Sequence, residues 1–252
     1  MDYVQQALEW KHGSSPTGTT IRLHRRRGYH TPDAHYEAAL LRLVGPDTRW
    51  LDVGCGRSPC PFNPHLAAHL AQRCALLAGV DASANIAANP YLHRAIRSNV
   101  AAMNPDAYDL VTMRMVAEHV AEPDRLAAML RRLVAPGGTL LIYTVHAASP
   151  SALVGKLAPQ TLHRLAMRGL FRGEDRDVFP AYYRMNTIGQ LRWILRGFEA
   201  RQLSLLDDCR LTLRRPKLHA AELALWSIWR RTTLAYPECC ILGEFTPTTE
   251  PP

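Results

Sequence analysis

Between Thr48 and Val145, short runs that are apolar along their whole length alternate with segments of helical character, and this rhythm constrains the fold more than any other feature of the chain. "TRWLDV", "ALLAGVD", "AYDLVTMRM" and "TLLIYTV" read as strands, with "RAIRSNV" as a weaker one between them. "HLAAHLAQRC" and "PDRLAAMLRRLVAPGG" read as helices, the second stopped by Pro136 and the glycines after it. Strands without polar alternation are buried on both faces, and helices between them make the crossovers of a parallel sheet. Further on, "NTIGQLRWILRGF" reads as a helix capped by Asn186 or Thr187, "EARQLSLLDD" as a sixth strand, "PKLHAAELALWSIWRRTTLAY" as a helix and "ECCILGEF" as a seventh strand. The expected class is α/β, with a mostly parallel seven-stranded sheet covered by helices on both faces.

The flanks divide by composition. Residues 1–28 are expected to hold a short helix, Tyr3–Trp10, and a flexible linker, "HGSSPTGTT". The main domain is expected over 29–245, opening on the helix "TPDAHYEAALLRLV" with Thr31 as N-cap and Pro32 at its first position. Residues 147–186 break the rhythm and are expected as an inserted helical lid; the polar 246–252 are expected as a disordered tail. Hydrophobic residues are 47% and charged residues 21%, enough to bury a core without staples.

No stretch approaches the length of a membrane span, and "MDYVQQALEWKHGSSP" lacks the basic and apolar regions of a secretory signal. The six cysteines form no CxxC pair and match no zinc spacing, so they read as reduced thiols of a cytoplasmic protein, with no metal expected. The net charge is +8, and Pro150 to Tyr236 alone carries 15 Lys+Arg against 7 Asp+Glu while the rest balances. An excess confined to one segment suits an acidic substrate, a membrane surface or nucleic acid, and equally a solvated basic face.

"LDVGCGRS", Leu51 to Ser58, is a strand running into a tight glycine turn, the kind that brings backbone N–H groups close to a ligand. It is not a nucleotide-triphosphate loop, because no GK follows at the required spacing. It is not a dinucleotide turn either, because Pro59 stands where the third glycine belongs. Asp52, two residues before Gly54, would repel a pyrophosphate and attract an ammonium. Asp81, ending the second strand, can accept ribose hydroxyls. Each acid alone also suits a strand end or a helix cap. Together they match a ligand with a cationic amino acid end and a ribose, such as S-adenosylmethionine (SAM).

"LDVGCG", "GVDAS", "AYDLVTMRMVAEHV" and "LRRLVAPGGTLLIYTV", in that order, resemble a class I SAM-dependent methyltransferase of the small-molecule branch that includes ubiquinone-biosynthesis enzymes. The resemblance covers Tyr29 to Val145 and implies a Rossmann-like seven-stranded sheet with the last strand antiparallel. It implies that Asp52, Gly54, Cys55 and Gly56 surround the methionine part of SAM, that Asp81 holds the ribose, and that Ala82 lies beside the adenine. Ser98, Asn99 and Val100 fall where the family carries an acid near the adenine amine; Asn99 offers an amide oxygen instead. Ser58 replaces the third small residue of the turn, and "PCPFNP" is expected to form a pocket wall.

The sulfonium already activates the methyl group, so the protein has chiefly to align an acceptor, exclude water and, for a hydroxyl or ammonium, take a proton. At the end of the fourth strand, Met113 and Arg114 are expected to reach the methionine end or the acceptor. His119 is the first candidate base and His146, after the fifth strand, the second. Tyr182 and Tyr183 suit orientation of an acceptor hydroxyl or anchoring of the insertion, and Glu118 suits a helix N-terminus. In "TLHRLAMRGLF", Leu162, Leu165, Ala166 and Gly169 share one helical face and Arg164 and Arg168 another, with Arg172 just beyond, as a lid or a basic membrane-surface helix requires. The leading reading is methyl transfer to a small molecule, acidic or lipid- or saccharide-linked. Nucleic-acid methylation and a non-catalytic SAM-binding subunit are the alternatives, the former lacking an RNA-binding motif or an NPPY-type tetrapeptide. The oligomeric state is not legible.

Overall fold

The computed structural model describes residues 2–14, 17–103, 106–157, 179–213 and 215–248. Its centre is a seven-stranded sheet formed by β1 (Arg49–Val53), β2 (Leu76–Asp81), β3 (Arg94–Arg97), β4 (Tyr108–Arg114), β5 (Val134–Val145), β6 (Phe198–Asp207) and β7 (Cys239–Pro247), in the spatial order β3-β2-β1-β4-β5-β7-β6. The pairs β1–β2, β1–β4, β2–β3 and β4–β5 are parallel. β7 runs antiparallel to β5 and to β6, so the expected Rossmann-like α/β sheet with an antiparallel last strand is present.

Alternate residues of the central strands enter two different cores, which is why the strands read as continuously apolar. Leu51, Val53, Val111, Met113, Leu140 and Ile142 pack against Leu126, Leu130 and Leu133 of α5 (Pro123–Leu133). Trp50, Leu110, Leu141 and Tyr143 share the other core with Tyr36 and Leu40 of α3 (Pro32–Leu43) and Leu66 and Leu70 of α4 (Pro64–Arg73). Thr31 caps α3 through the Ala34 N–H (3.3 Å), and Asn63 caps α4 through that of Leu66 (3.3 Å), each ahead of a proline at the first helical position. Thr187, rather than Asn186, caps the helix Ile188–Ile194.

The flanks differ from expectation in two places. The basic run after the linker is a helix, α2 (Thr19–Arg27), closed by Gly28 in the left-handed region. Its N-cap, Gly18, offers no side-chain bond. Tertiary contact supplies what local sequence lacks: His24 Nε2 lies 2.8 Å from His219 Nε2 on the C-terminal helix Pro216–Trp229. At the other end, Thr246 and Pro247, expected in the tail, belong to β7, opposite Glu199 and Phe198. The basic helix expected at Leu162–Arg172 lies outside the described residues. Among those described, no helix is long and apolar enough to cross a membrane.

Candidate cofactor and acceptor site

The glycine turn sits where β1 leaves the sheet. Gly54 has φ +66°, and a Cβ there would lie 2.3 Å from Val116 Cγ2, so both backbone conformation and the exit of β4 demand glycine. The Gly54 N–H donates to Val80 O (2.8 Å), and the Gly56 N–H donates to Asp81 Oδ2 (2.9 Å). Asp81 Oδ1 accepts from the Ser83 N–H (2.8 Å). The acid ending β2 is thereby tied to the turn after β1, and each of its oxygens keeps acceptor capacity. Gly56 has φ +46° and open space where its Cβ would be, so a ligand can approach the backbone there.

Cys55 faces the other way. Its Sγ lies 2.6 Å from the position a Gly79 Cβ would take, and burial pushes its thiol pKa up; only its backbone can serve a ligand. Sequence reasoning missed Asn89, a buried residue whose Nδ2 donates to Gly56 O (3.2 Å) and Cys55 O (3.4 Å). Its one signal was the Asn-Pro turn pair, which says nothing of its target.

Asp52 is buried beneath the turn. Thr112 Oγ1 accepts from Trp50 Nε1 (2.8 Å) and donates to Asp52 Oδ1 (2.7 Å), which fixes the carboxylate in one orientation. Burial pushes the Asp52 pKa up to about 7, against the opposing pull of the Thr112 hydroxyl and Arg114. Beside Asp81, the Ser98 N–H donates to Asp81 O (3.0 Å). Asn99 Oδ1 is engaged by the Ala101 N–H (3.0 Å), where it caps the short turn Val100–Ala102, so one lone pair remains for a ligand. Ala82 is exposed and Val100 packs against the core.

Met113 and Arg114 do not reach out as expected. Met113 is fully buried between Val53 and Ile142, on the α5 side of the sheet. Arg114 Nη2 donates to Asp33 Oδ1 (2.6 Å) at the start of α3, and Asp33 Oδ2 takes a second guanidinium, Arg210, which also grips Asp208. Although burial alone would raise it, the Asp33 pKa is held below the usual range by the Arg114 and Arg210 charges. The strand's alternation explains the misreading: 113 faces one core, and 114 faces a buried acid that lies far away in sequence. In the expected wall, Phe62 is exposed and lies 5.7 Å from both the Lys11 and Arg114 charges.

Across the carboxyl edge, β4 and β5 carry a second cluster. Glu118, read from sequence as a helix terminus, is instead a buried acid whose Oε2 accepts from Thr144 Oγ1 (2.8 Å). Asn186 Nδ2 donates to Thr144 Oγ1 (2.8 Å) and Val145 O (3.0 Å). The Tyr182 and Tyr183 amides donate to Glu118 O at 2.6 and 3.1 Å. Two non-glycine residues have left-handed φ among the described residues, Met115 and Tyr183, both at 52°, and they flank Glu118. Such strain gathers where surrounding contacts over-determine a site.

The two histidines differ in a way that matters chemically. His119 Nδ1 lies 2.9 Å from Pro180 O, and a carbonyl only accepts, so Nδ1 carries a proton and the neutral ring leaves Nε2 bare. His146 Nδ1 accepts from the Ala148 N–H (3.3 Å), so in the neutral ring the proton sits on Nε2. Burial and the nearby Lys156 charge lower the His146 pKa. Of these two, and among the described residues, His119 presents the free lone pair.

A family model described as a methyltransferase domain matches residues 22–199. The chain belongs to this family. Its sheet order is that of the class I SAM-dependent methyltransferases, and SAM is the family's cofactor. Ubiquinone biosynthesis O-methyltransferases are similar to it: that of Sodalis glossinidius is 31% identical over 131 residues, 47% of this chain and 50% of the relative. That of Thiobacillus denitrificans is 30% identical over 152 residues, 53% of this chain and 63% of the relative. The chain thus spans between half and two thirds of the length of these relatives. Among solved structures, a SAM-dependent methyltransferase from Mesorhizobium loti shares the fold (TM-score 0.55, 18% identity, 86% of this chain and 98% of that one). So does the cyclase SpnF, with a TM-score of 0.52, 16% identity and coverage of 86% and 81%. The methyltransferase fit rests on this site's own chemistry. A pyrophosphate would meet two carboxylates, whereas a cationic amino acid joined to a ribose meets a complementary group at each end.

Proposed function

We propose that this methyltransferase-family chain transfers a methyl group from SAM to a hydroxyl of a small-molecule acceptor. The observation that carries the reading is the pairing of buried Asp52, oriented by Thr112, with Asp81, tied to the open turn at Gly56. SAM, when bound, supplies a methyl group already activated on a sulfonium. Asp52 and the Gly54–Gly56 backbone hold the amino acid end, Asp81 accepts the ribose hydroxyls, and Ala82 with Ser98–Val100 borders the adenine. The names of the O-methyltransferase relatives support a hydroxyl as acceptor.

A hydroxyl acceptor must lose its proton, and His119 Nε2 is the group we assign to take it, because its Nδ1 is committed to Pro180 O. Glu118 fixes the segment that carries this imidazole, its backbone oxygen anchoring Tyr182 and Tyr183. His146 is a neutral donor and suits orientation of the acceptor rather than proton removal. Calorimetric titration with SAM, with NADH and ATP as controls, tests the reading. Saturable SAM binding that Asp81→Ala sharply weakens supports it, and a folded protein that binds no SAM refutes it. Screening of hydroxylated small molecules, acidic and lipid- or saccharide-linked ones first, then identifies the acceptor.

A further inference from the structure

The C-terminal helix Pro216–Trp229 is apolar on two opposite sides. Leu223 and Trp226 are buried against Tyr29 and Cys209, with His219 alongside. On the other side Leu218, Ala221, Leu225 and Ile228 are exposed at helical spacing, Leu225 by 67% and Ile228 by 65%. Trp229 Nε1 donates to Leu234 O and Ala235 O (3.2 Å each), folding exposed Leu234 back beside the helix end. Scattered exposed leucines are ordinary on a protein surface; a stripe along one helix is a contact surface.

The surroundings of the stripe are cationic. α2 meets this helix through its own C-terminal half: His24 contacts His219 near the start of the C-terminal helix, and a Cβ on Gly28, just past α2, would lie 3.9 Å from Arg230 at the end of it. Arg22, Arg25, Arg26 and Arg27 are exposed on α2, and Arg215, Lys217, Arg230 and Arg231 are exposed at the two ends of the C-terminal helix. Among the described residues none of these eight is in an ion pair. The nearby acids are engaged elsewhere: Glu222 by Thr212 and Tyr236, Asp207 by Trp226 and Asp208 by Arg210.

We propose that this surface, formed by α2 and the C-terminal helix, docks the protein on an anionic lipid bilayer. Aliphatic side chains flanked by arginines match the two layers of such a surface, acyl chains below and phosphates above. A second copy of the chain would bring like charges together, and a polyanion such as RNA gives the aliphatic stripe nothing to bury against. The surface also lies at the site's own edge of the sheet. β6 ends at Asp207 and β7 begins at Cys239, with Cys240 opposite Val145, the last residue of β5. The inference is independent of the methyl-transfer reading.

Co-sedimentation of the full chain with vesicles tests it, using phosphatidylcholine alone against equal parts of phosphatidylcholine and phosphatidylglycerol. The expected result is binding to the mixed vesicles only, weakened by high salt. Leu225→Glu combined with Ile228→Glu should lower the bound fraction by about tenfold or more while leaving the melting temperature unchanged, since both side chains are exposed. Failure to bind mixed vesicles overturns the proposal. Binding that survives the double substitution overturns it too, because the lipid contact then lies elsewhere on the chain. A dimer on gel filtration that the double substitution dissolves assigns the stripe to a second copy instead.

Discussion

Around Gly54 and Gly56 the protein holds itself largely through backbone, with N–H groups donated to Val80 O and Asp81, and the turn carbonyls gripped by Asn89. Around Glu118 it is held by side chains and loops brought from far apart, Thr144 from β5, Asn186 and Tyr183 from the segment just before the helix Ile188–Ile194, and Pro180 O against His119. The first region is a compact cradle whose shape follows from two strand ends. The second exists only when three distant segments meet. On the proposed reading, a cofactor used for many acceptors is served by the first kind of construction, and an acceptor particular to one enzyme by the second.

Separating the two functions by substitution is the sharpest test of this contrast. His119→Ala should lower kcat by roughly a hundredfold or more while SAM affinity stays unchanged, and His146→Ala should cost far less. Equal losses from the two variants would erase the distinction drawn from their ring nitrogens. Asp81→Ala should weaken SAM binding by about a hundredfold in calorimetry, because it removes ligand acceptors and also releases the Gly56 N–H.

Arg114→Met probes the boundary between the regions. It leaves Asp33 with Arg210 alone, and chemical denaturation should show a loss of about 3 kcal/mol with little change in SAM affinity. A large affinity loss at unchanged stability would instead return Arg114 to the ligand.

The smallest effect concerns Asp52. Its raised pKa means the folded state retains a proton that the unfolded chain has lost, so stability falls as pH rises from 3.8 toward about 7. Asp52→Asn should therefore raise the melting temperature by roughly a few degrees above pH 7, with the gain fading toward pH 4. Wild-type SAM affinity should rise as pH increases through about 7, since only the ionised carboxylate attracts the ammonium, and calorimetry on the same variant should show no such rise.

How much of this was readable beforehand follows from distance along the chain. The turn and its two acids span Asp52 to Asp81, two adjacent strands joined by one helix, and their residue types alone excluded a pyrophosphate. Met113 and Arg114 were misread because strand alternation sets which core each faces, and the partner that captures Arg114, Asp33, lies on a helix before β1. Asn89 and Glu118 carried no distinctive pattern, since an asparagine beside a proline and an acid in a short turn have many local uses. α2 was hidden for a similar reason: its first turn has no capping side chain, and the C-terminal helix that holds it is remote in sequence.

The two-sided parallel sheet, the glycine turn and the acids at the first two strand ends are written in local sequence, because hydrophobic periodicity, φ > 0 and charge are properties of neighbouring residues. Which histidine has a free lone pair, where Arg114 is spent, and that an aliphatic stripe lies exposed among arginines emerge from the folded packing alone. Each of these depends on a partner whose position is fixed by packing between segments far apart in the chain.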